Sequence, residues 1–365
     1  MKCLELIFGA VICVLLIKAQ TLDDPFDENE VDFLDNYDDY QAGETRAAAI
    51  PLNNAGSEAN FPKLTLTLIN PADKAQIFAF TYADTPKILT HPWFNWRLQT
   101  LIYAFGFTEN MASVTTQAII DAYFKRGGFN ILIIDWSAYS GTVPNDYNVA
   151  VGNMKAVGGL IGGRLSSIFT RAMLRRMHLV GHSLGAHLCA YVNRGIPNNL
   201  FTERIHKIIG LDPAGPLMYD VALGNKPLSS SDAEVVQVIH TDMLQAGAPF
   251  KSGTIDFYPN GGGINGIQPG CPIFDKANLF IPGNFCSHTR SVLYYAESVN
   301  NKENSFAATR CGNYSDYLFA RCQRQNQQMG FNAKDHEIGD FYLQTNSFAP
   351  FDRGLAGATY LFTAP

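Results

Sequence analysis

The stretch "MHLVGHSLGAHLCAYV", residues 177–192, decides how this chain folds. A short apolar run, Met177 to Val180, meets Gly181-His182-Ser183-Leu184-Gly185 and continues as a run rich in Ala and Leu. That is a strand, a sharp corner and a helix. A serine at such a corner adopts a strained backbone that lifts its hydroxyl above the sheet. Side chains two residues to either side would collide across the turn, so glycine stands at 181 and 185. The first amides of a helix have no intrahelical partner and its dipole favours negative charge. The corner therefore predicts Ser183 as a nucleophile and the amide of Leu184 as one donor to an oxyanion.

Outward from the corner, "FNILIIDW" (129–136), "RMHLVGH" (176–182), "HKIIGLD" (206–212) and "EVVQVIHTD" (234–242) are near-continuous apolar runs. They read as strands buried on both faces. Residues 147–174 and 184–195 between them have helical character. Strand and helix in alternation predict a mostly parallel α/β sheet flanked by helices, in one domain from residue 60 to 365. The glycines of 158–163 either weaken the first helix or mark close packing on the sheet.

A nucleophilic serine needs a base, and the base an acid, in the chain order Ser, Asp or Glu, His. Asp212 closes the strand "HKIIGLD" ahead of "PAGP", which fits the acid and equally fits a turn-capping aspartate. Of the eight histidines, His182 and His187 flank the serine too closely, while His178, His206 and His240 belong to strands. His336 lies in a polar segment and His91 precedes an aromatic cluster. His288, just before "RSVLYYAESV", has both the right order and a loop-to-helix position. No HExxH, CxxC, GxGxxG or P-loop occurs, so neither metal nor nucleotide cofactor is expected.

The charge is unevenly spread. Residues 1–20, with Lys2, an apolar stretch and Ala19, read as a secretory signal peptide. Residues 21–45 hold ten acids and no Lys or Arg, and 21–59 read as a disordered leader or propeptide. Without residues 1–45 the chain has 25 basic and 22 acidic residues, a balance that gives no sign of nucleic-acid binding. Cys271 with Cys286, and Cys311 with Cys322, are closely spaced pairs that an oxidising compartment favours as disulfides. Cys189 reads as a buried free thiol, and Asn313-Tyr314-Ser315 is a glycosylation sequon.

Six blocks occur in order: "GHSLGAH" (181–187), "GLDPAGP" (210–216), "VIHTD" (238–242), "DFYPNGG" (256–262), "QPGC" (268–271) and "CSHTRSVLYYAES" (286–298). Together they resemble the pancreatic-lipase family of secreted α/β-hydrolases, which includes arthropod lipases and wasp-venom phospholipases A1. The resemblance runs from about residue 60 to the C-terminus. It implies Ser183 as nucleophile, Asp212 as acid, His288 as base, and a lipid ester at an interface as substrate. All three residues are present, which separates the chain from the family's yolk-protein branch, where the serine is missing; the alternative is a silent lipid- or hormone-binding carrier that keeps the triad but loses its oxyanion geometry through Pro92. The family's second oxyanion donor follows a His-Gly pair. The resemblance places it in "ILTHPWFNW" (88–96), where His91-Pro92-Trp93 makes Trp93 the expected donor. Proline has no N–H, so this position departs from the pattern. A disulfide-bounded lid is also implied. Cys271 and Cys286 enclose 14 residues, with Ile273, Phe274, Leu279, Phe280 and Ile281 apolar, a short lid that leans toward phospholipase A1. The chain ends 77 residues after His288, too few for the β-sandwich of pancreatic lipases, so no colipase is expected.

Overall fold

The apolar runs become strands of one sheet. The structure, a computed structural model, describes residues 57–361 apart from 144–145, 198–202, 264–266, 273–284, 302–303 and 323–325. The expected signal peptide, the leader up to residue 56 and the lid residues from Ile273 to Ile281 lie outside the described residues. The strands are β1 (Thr65–Ile69), β2 (Ile77–Thr81), β3 (Gln99–Ala104), β4 (Phe129–Asp135), β5 (Met177–His182), β6 (Lys207–Leu211), β7 (Val235–Ile239), β8 (Ile255–Pro259), β9 (Ala307–Arg310), β10 (Asn326–Gln328) and β11 (Gly339–Leu343). Their order is β10-β9-β11-β8-β7-β6-β5-β3-β4-β1-β2. From β4 to β11 neighbours run parallel, while β1, β2, β9 and β10 pair antiparallel at the margins.

The helices are α1 (Val114–Arg126), α2 (Tyr147–Ile168), α3 (Arg171–Leu174), α4 (Leu184–Gly195), α5 (Cys286–Asn300) and α6 (Tyr314–Leu318). The chain steps one way from β3 to β4, then the other way from β4 through β5 to β6. Right-handed crossovers in opposite directions put α1 on one face and α2 with α4 on the other. α1 packs beside α5, and α2 beside α4. This is the α/β-hydrolase arrangement: a mostly parallel sheet between helical layers.

Three local expectations change. The helix expected over 147–174 stops at Ile168. Phe169 turns extended and buries its ring 5.8 Å from Phe94, and Thr170 then caps α3. The strand expected over 234–242 stops at Ile239, because the amides of Thr241 and Asp242 turn to Asp212 instead of a neighbouring strand. Gly158 and Gly162 of α2 face α4 rather than the sheet, while a Cβ on Gly159 or Gly163 would meet open space. A Cβ on Gly158 would stand 2.4 Å from the Tyr191 Cβ, and one on Gly162 2.1 Å from the Val192 carbonyl. α2 thus presses the helix that follows the serine onto the sheet.

Candidate active site

Ser183 sits between β5 and α4 with φ 56° and ψ −125°, a left-handed conformation that a side chain adopts at a cost of about 1–3 kcal/mol. Close packing holds it there. A Cβ on Gly181 would stand 2.2 Å from the Gly185 carbonyl, and one on Gly185 2.1 Å from that of Ala104. The Ser183 N–H donates to the Leu211 carbonyl at 3.0 Å, which ties the corner to the end of β6.

Asp212 follows β6 directly, with φ 43°. Its Oδ2 meets His288 Nδ1 at 2.6 Å, while its Oδ1 accepts the Thr241 and Asp242 amides at 2.7 and 3.1 Å. With Nδ1 engaged, a neutral His288 keeps its lone pair on Nε2. Burial pushes the imidazole below its usual 6.5; the Asp212 hydrogen bond resists this and the charge of His182 adds to it. His288 lies in the first turn of α5, and α1 holds that helix in place. Tyr295 and Tyr123 share a buried hydrogen bond of 2.8 Å, and Asn300 Nδ2 donates to the Ala122 carbonyl. The Cys271–Cys286 disulfide fixes the start of α5, two residues ahead of His288.

A second carboxyl stands beside the first. Burial, then the charge of Asp212, hold the Asp242 carboxyl well above the usual carboxylate range. Ligand atoms of Asp212, Asp242 and His288 lie within 4.8 Å of one another, the one such grouping of three among the described residues. Both Asp212 oxygens there already accept hydrogen bonds.

The expected second oxyanion donor is displaced. Trp93 belongs to the loop that enters β3, at the amino edge of the parallel strands. There the Asn95 amide binds Asn130 Oδ1 at the start of β4, and Arg176, just ahead of β5, binds the carbonyls of Trp96 and Arg97. Ser183 is at the opposite, carboxyl edge, roughly 20 Å away along a six-residue strand. The Trp93 amide, moreover, donates to His91 Nδ1. Trp93 is therefore not a donor to this site. The glycine-aromatic pair at the carboxyl edge is Gly106-Phe107, directly after β3. A Cβ on Gly106 would stand 2.8 Å from the Ser183 Cβ. Phe107 packs edge-on to Tyr147, at 4.9 Å between ring centres, and its N–H, like that of Leu184, has no hydrogen-bond partner among the described residues. Thr108 beside it is left-handed at φ 57°. The readable signal was "LIYA" running into Phe105-Gly106-Phe107.

Sequence reasoning also missed Glu109, whose carboxylate meets His182 Nδ1 at 2.9 Å. Among the other histidines, His187 accepts the Leu228 amide at Nδ1 and donates from Nε2 to the Ala214 carbonyl. Burial brings it to about 4, a neutral structural group. His240 stacks on Tyr258 and meets Asp256, His206 faces Glu234, and His336 is exposed. His206 and His240 stand one residue outside their strands. Cys311–Cys322 forms the second disulfide, and Cys189 is a buried free thiol. Asn313 is exposed, and its side-chain oxygen caps α6 through the Asp316 amide.

A family profile described as Lipase matches residues 35–351. Phospholipase A1 2 of Vespa affinis is 31% identical, over 69% of this chain and 75% of its own. Lipoprotein lipase of Bos taurus is 29% identical, over 78% of this chain and 62% of its own. Lipase member H-A of Xenopus laevis is 33% identical, over 56% of this chain and 42% of its own. The chain thus spans less than two thirds of the length of the last two relatives.

Proposed function

The chain belongs to the lipase family, and from that premise we propose that it hydrolyses carboxylic esters of glycerolipids through Ser183, Asp212 and His288. The observation that carries this reading is the left-handed Ser183 at the corner of β5 and α4, beside an Asp212–His288 pair bonded at 2.6 Å. His288 Nε2 takes the hydroxyl proton as Ser183 Oγ bonds to the ester carbonyl carbon, and Asp212 holds the tautomer and stabilises the imidazolium. The carbonyl oxygen becomes an oxyanion held by the unpaired amides of Leu184 and Phe107. Collapse breaks the ester C–O bond, and the proton passes from His288 to the leaving alcohol. Water then repeats the cycle on the acyl-enzyme and releases the fatty acid.

Relatives named phospholipase A1 and lipoprotein lipase support a lipid substrate. The short segment between Cys271 and Cys286 favours a phospholipid over a triacylglycerol. Action outside the cell fits the signal-like N-terminus and the two disulfides. No described helix is long and apolar enough to cross a membrane. The carrier alternative rested on Pro92, which stands at the far edge of the sheet from Ser183 and gives it no support.

The test is fatty-acid release from phosphatidylcholine vesicles and from emulsified triacylglycerol, with Ser183→Ala alongside. Release that the variant lowers by a factor on the order of 10⁴ or more supports the reading. Undiminished release by Ser183→Ala, or none by the folded native chain, overturns it.

A further inference from the structure

One carboxylate touches both halves of the proposed site. Glu109, five residues beyond the end of β3, has a side chain only 15% exposed. Its Oε2 accepts the Gly106 amide at 2.5 Å and meets His182 Nδ1 at 2.9 Å, and its Oε1 accepts the Thr115 hydroxyl in the first turn of α1. Gly106 precedes Phe107, the proposed oxyanion donor, and His182 precedes Ser183. The His182 ring lies 4.6 Å from the His288 ring between centres, and its buried Nε2 is turned toward the His288 backbone carbonyl.

Resting on the hydrolase reading above, we propose that Glu109 is a positioning residue. It clamps the oxyanion loop to the nucleophile corner and holds His182 as a cation against the face of His288.

The electrostatics run in one direction. Burial opposes ionisation of Glu109, but the charge and hydrogen bonds of His182, Thr115 and the Gly106 amide bring it to about 2. Burial likewise opposes the His182 cation, and Glu109 outweighs it, so His182 is raised above its usual value. The titratable groups facing His288 are His182, with Glu109 behind it, together with Asp212 and Asp242, whose proton affinity is raised. A cation beside the base discourages a second proton, so His288 stays free to accept the one from Ser183. The pair is neutral as a whole and turns its positive end toward the base.

The experiment uses the full chain and p-nitrophenyl butyrate, a soluble ester that separates chemistry from interface binding. Native turnover that Ser183→Ala abolishes comes first, and its absence would strike the hydrolase reading rather than this one. Given that turnover, Glu109→Gln keeps an oxygen for the Gly106 amide and removes the charge. His182 then loses its proton, the loss of its charge outweighs the loss of the smaller, opposing charge of Glu109, and the acidic limb of kcat/KM moves to higher pH. Glu109→Ala loses the clamp as well, and kcat falls a further 10- to 100-fold, roughly part of what a lost oxyanion donor costs, with KM nearly constant. If Glu109→Ala does not fold, the limb of Glu109→Gln decides alone. An unmoved limb in Glu109→Gln overturns the proposal, as does a folded Glu109→Ala with native kcat.

Discussion

Two loops flank β3, and the difference between them organises the molecule. The loop before it, residues 91–98, carries His91-Pro92-Trp93 and is fastened by side chains: Asn130 on Asn95, and Arg176 on the carbonyls of Trp96 and Arg97. It contains no left-handed residue. The loop after it, Phe105–Ser113, carries Gly106-Phe107, a left-handed Thr108 and the Glu109 carboxylate, and it abuts Ser183. One loop is built for stability and the other is strained and charged. The physical cause is polarity. Helices that follow parallel strands point their N-termini, with unpaired amides and positive dipole ends, to the carboxyl edge. Chemistry that generates an anion belongs there, and the amino edge is left to packing.

The largest effect should come from crossing that line. Gly106→Val drives a side chain into Ser183 and should lower kcat by about 100-fold or more, the size of a misplaced oxyanion donor. Trp93→Ala should leave kcat essentially unchanged. Equal losses in a steady-state assay of the two folded variants would erase the distinction between the loops.

Asn130→Ala probes the amino edge. It strands the Asn95 amide and carbonyl that Asn130 satisfies, at a cost of about 1–3 kcal/mol of stability. Urea unfolding should show that loss with kcat retained, and a fall in kcat without a fall in stability would contradict it.

The smallest effect is one of pH. His288 must be unprotonated to act, and its affinity for a proton is lowered, so activity should fall with acid through a midpoint below 6.5. His178 at the amino end of β5 is held at about 4 by burial first and then by Lys207, and it faces no part of the proposed site. His178→Gln should therefore leave the kcat/KM profile in place, whereas Glu109→Gln moves it.

Much of this was legible before any coordinates. Apolar runs separated by helical segments dictate a parallel sheet, because strands without a polar face must be covered on both sides. Gly-x-Ser-x-Gly specifies its corner because a Cβ at 181 or 185 would stand within 2.2 Å of a backbone carbonyl, which leaves room for glycine alone. Asp212 and His288 were reachable because chain order in this fold follows strand order. The margins were harder. β9 and β10 are short and partly polar, and nothing in their pattern of residues announces a pairing.

The error over Trp93 has a definite origin. A motif matched by residue type alone does not show which edge of the sheet it occupies, and Trp93 and Phe107 lie 14 residues apart in sequence but at opposite edges of the sheet. Glu109 was invisible for a related reason: a lone acid in a polar loop looks like a solvated side chain until the fold brings it to His182. The sequence by itself determined the sheet, the strained serine and the order of its partners, since those follow from burial, steric exclusion and connectivity. Only the tertiary structure decided which amides face the serine and which charges surround its base, because both depend on distances between segments that the chain does not encode locally.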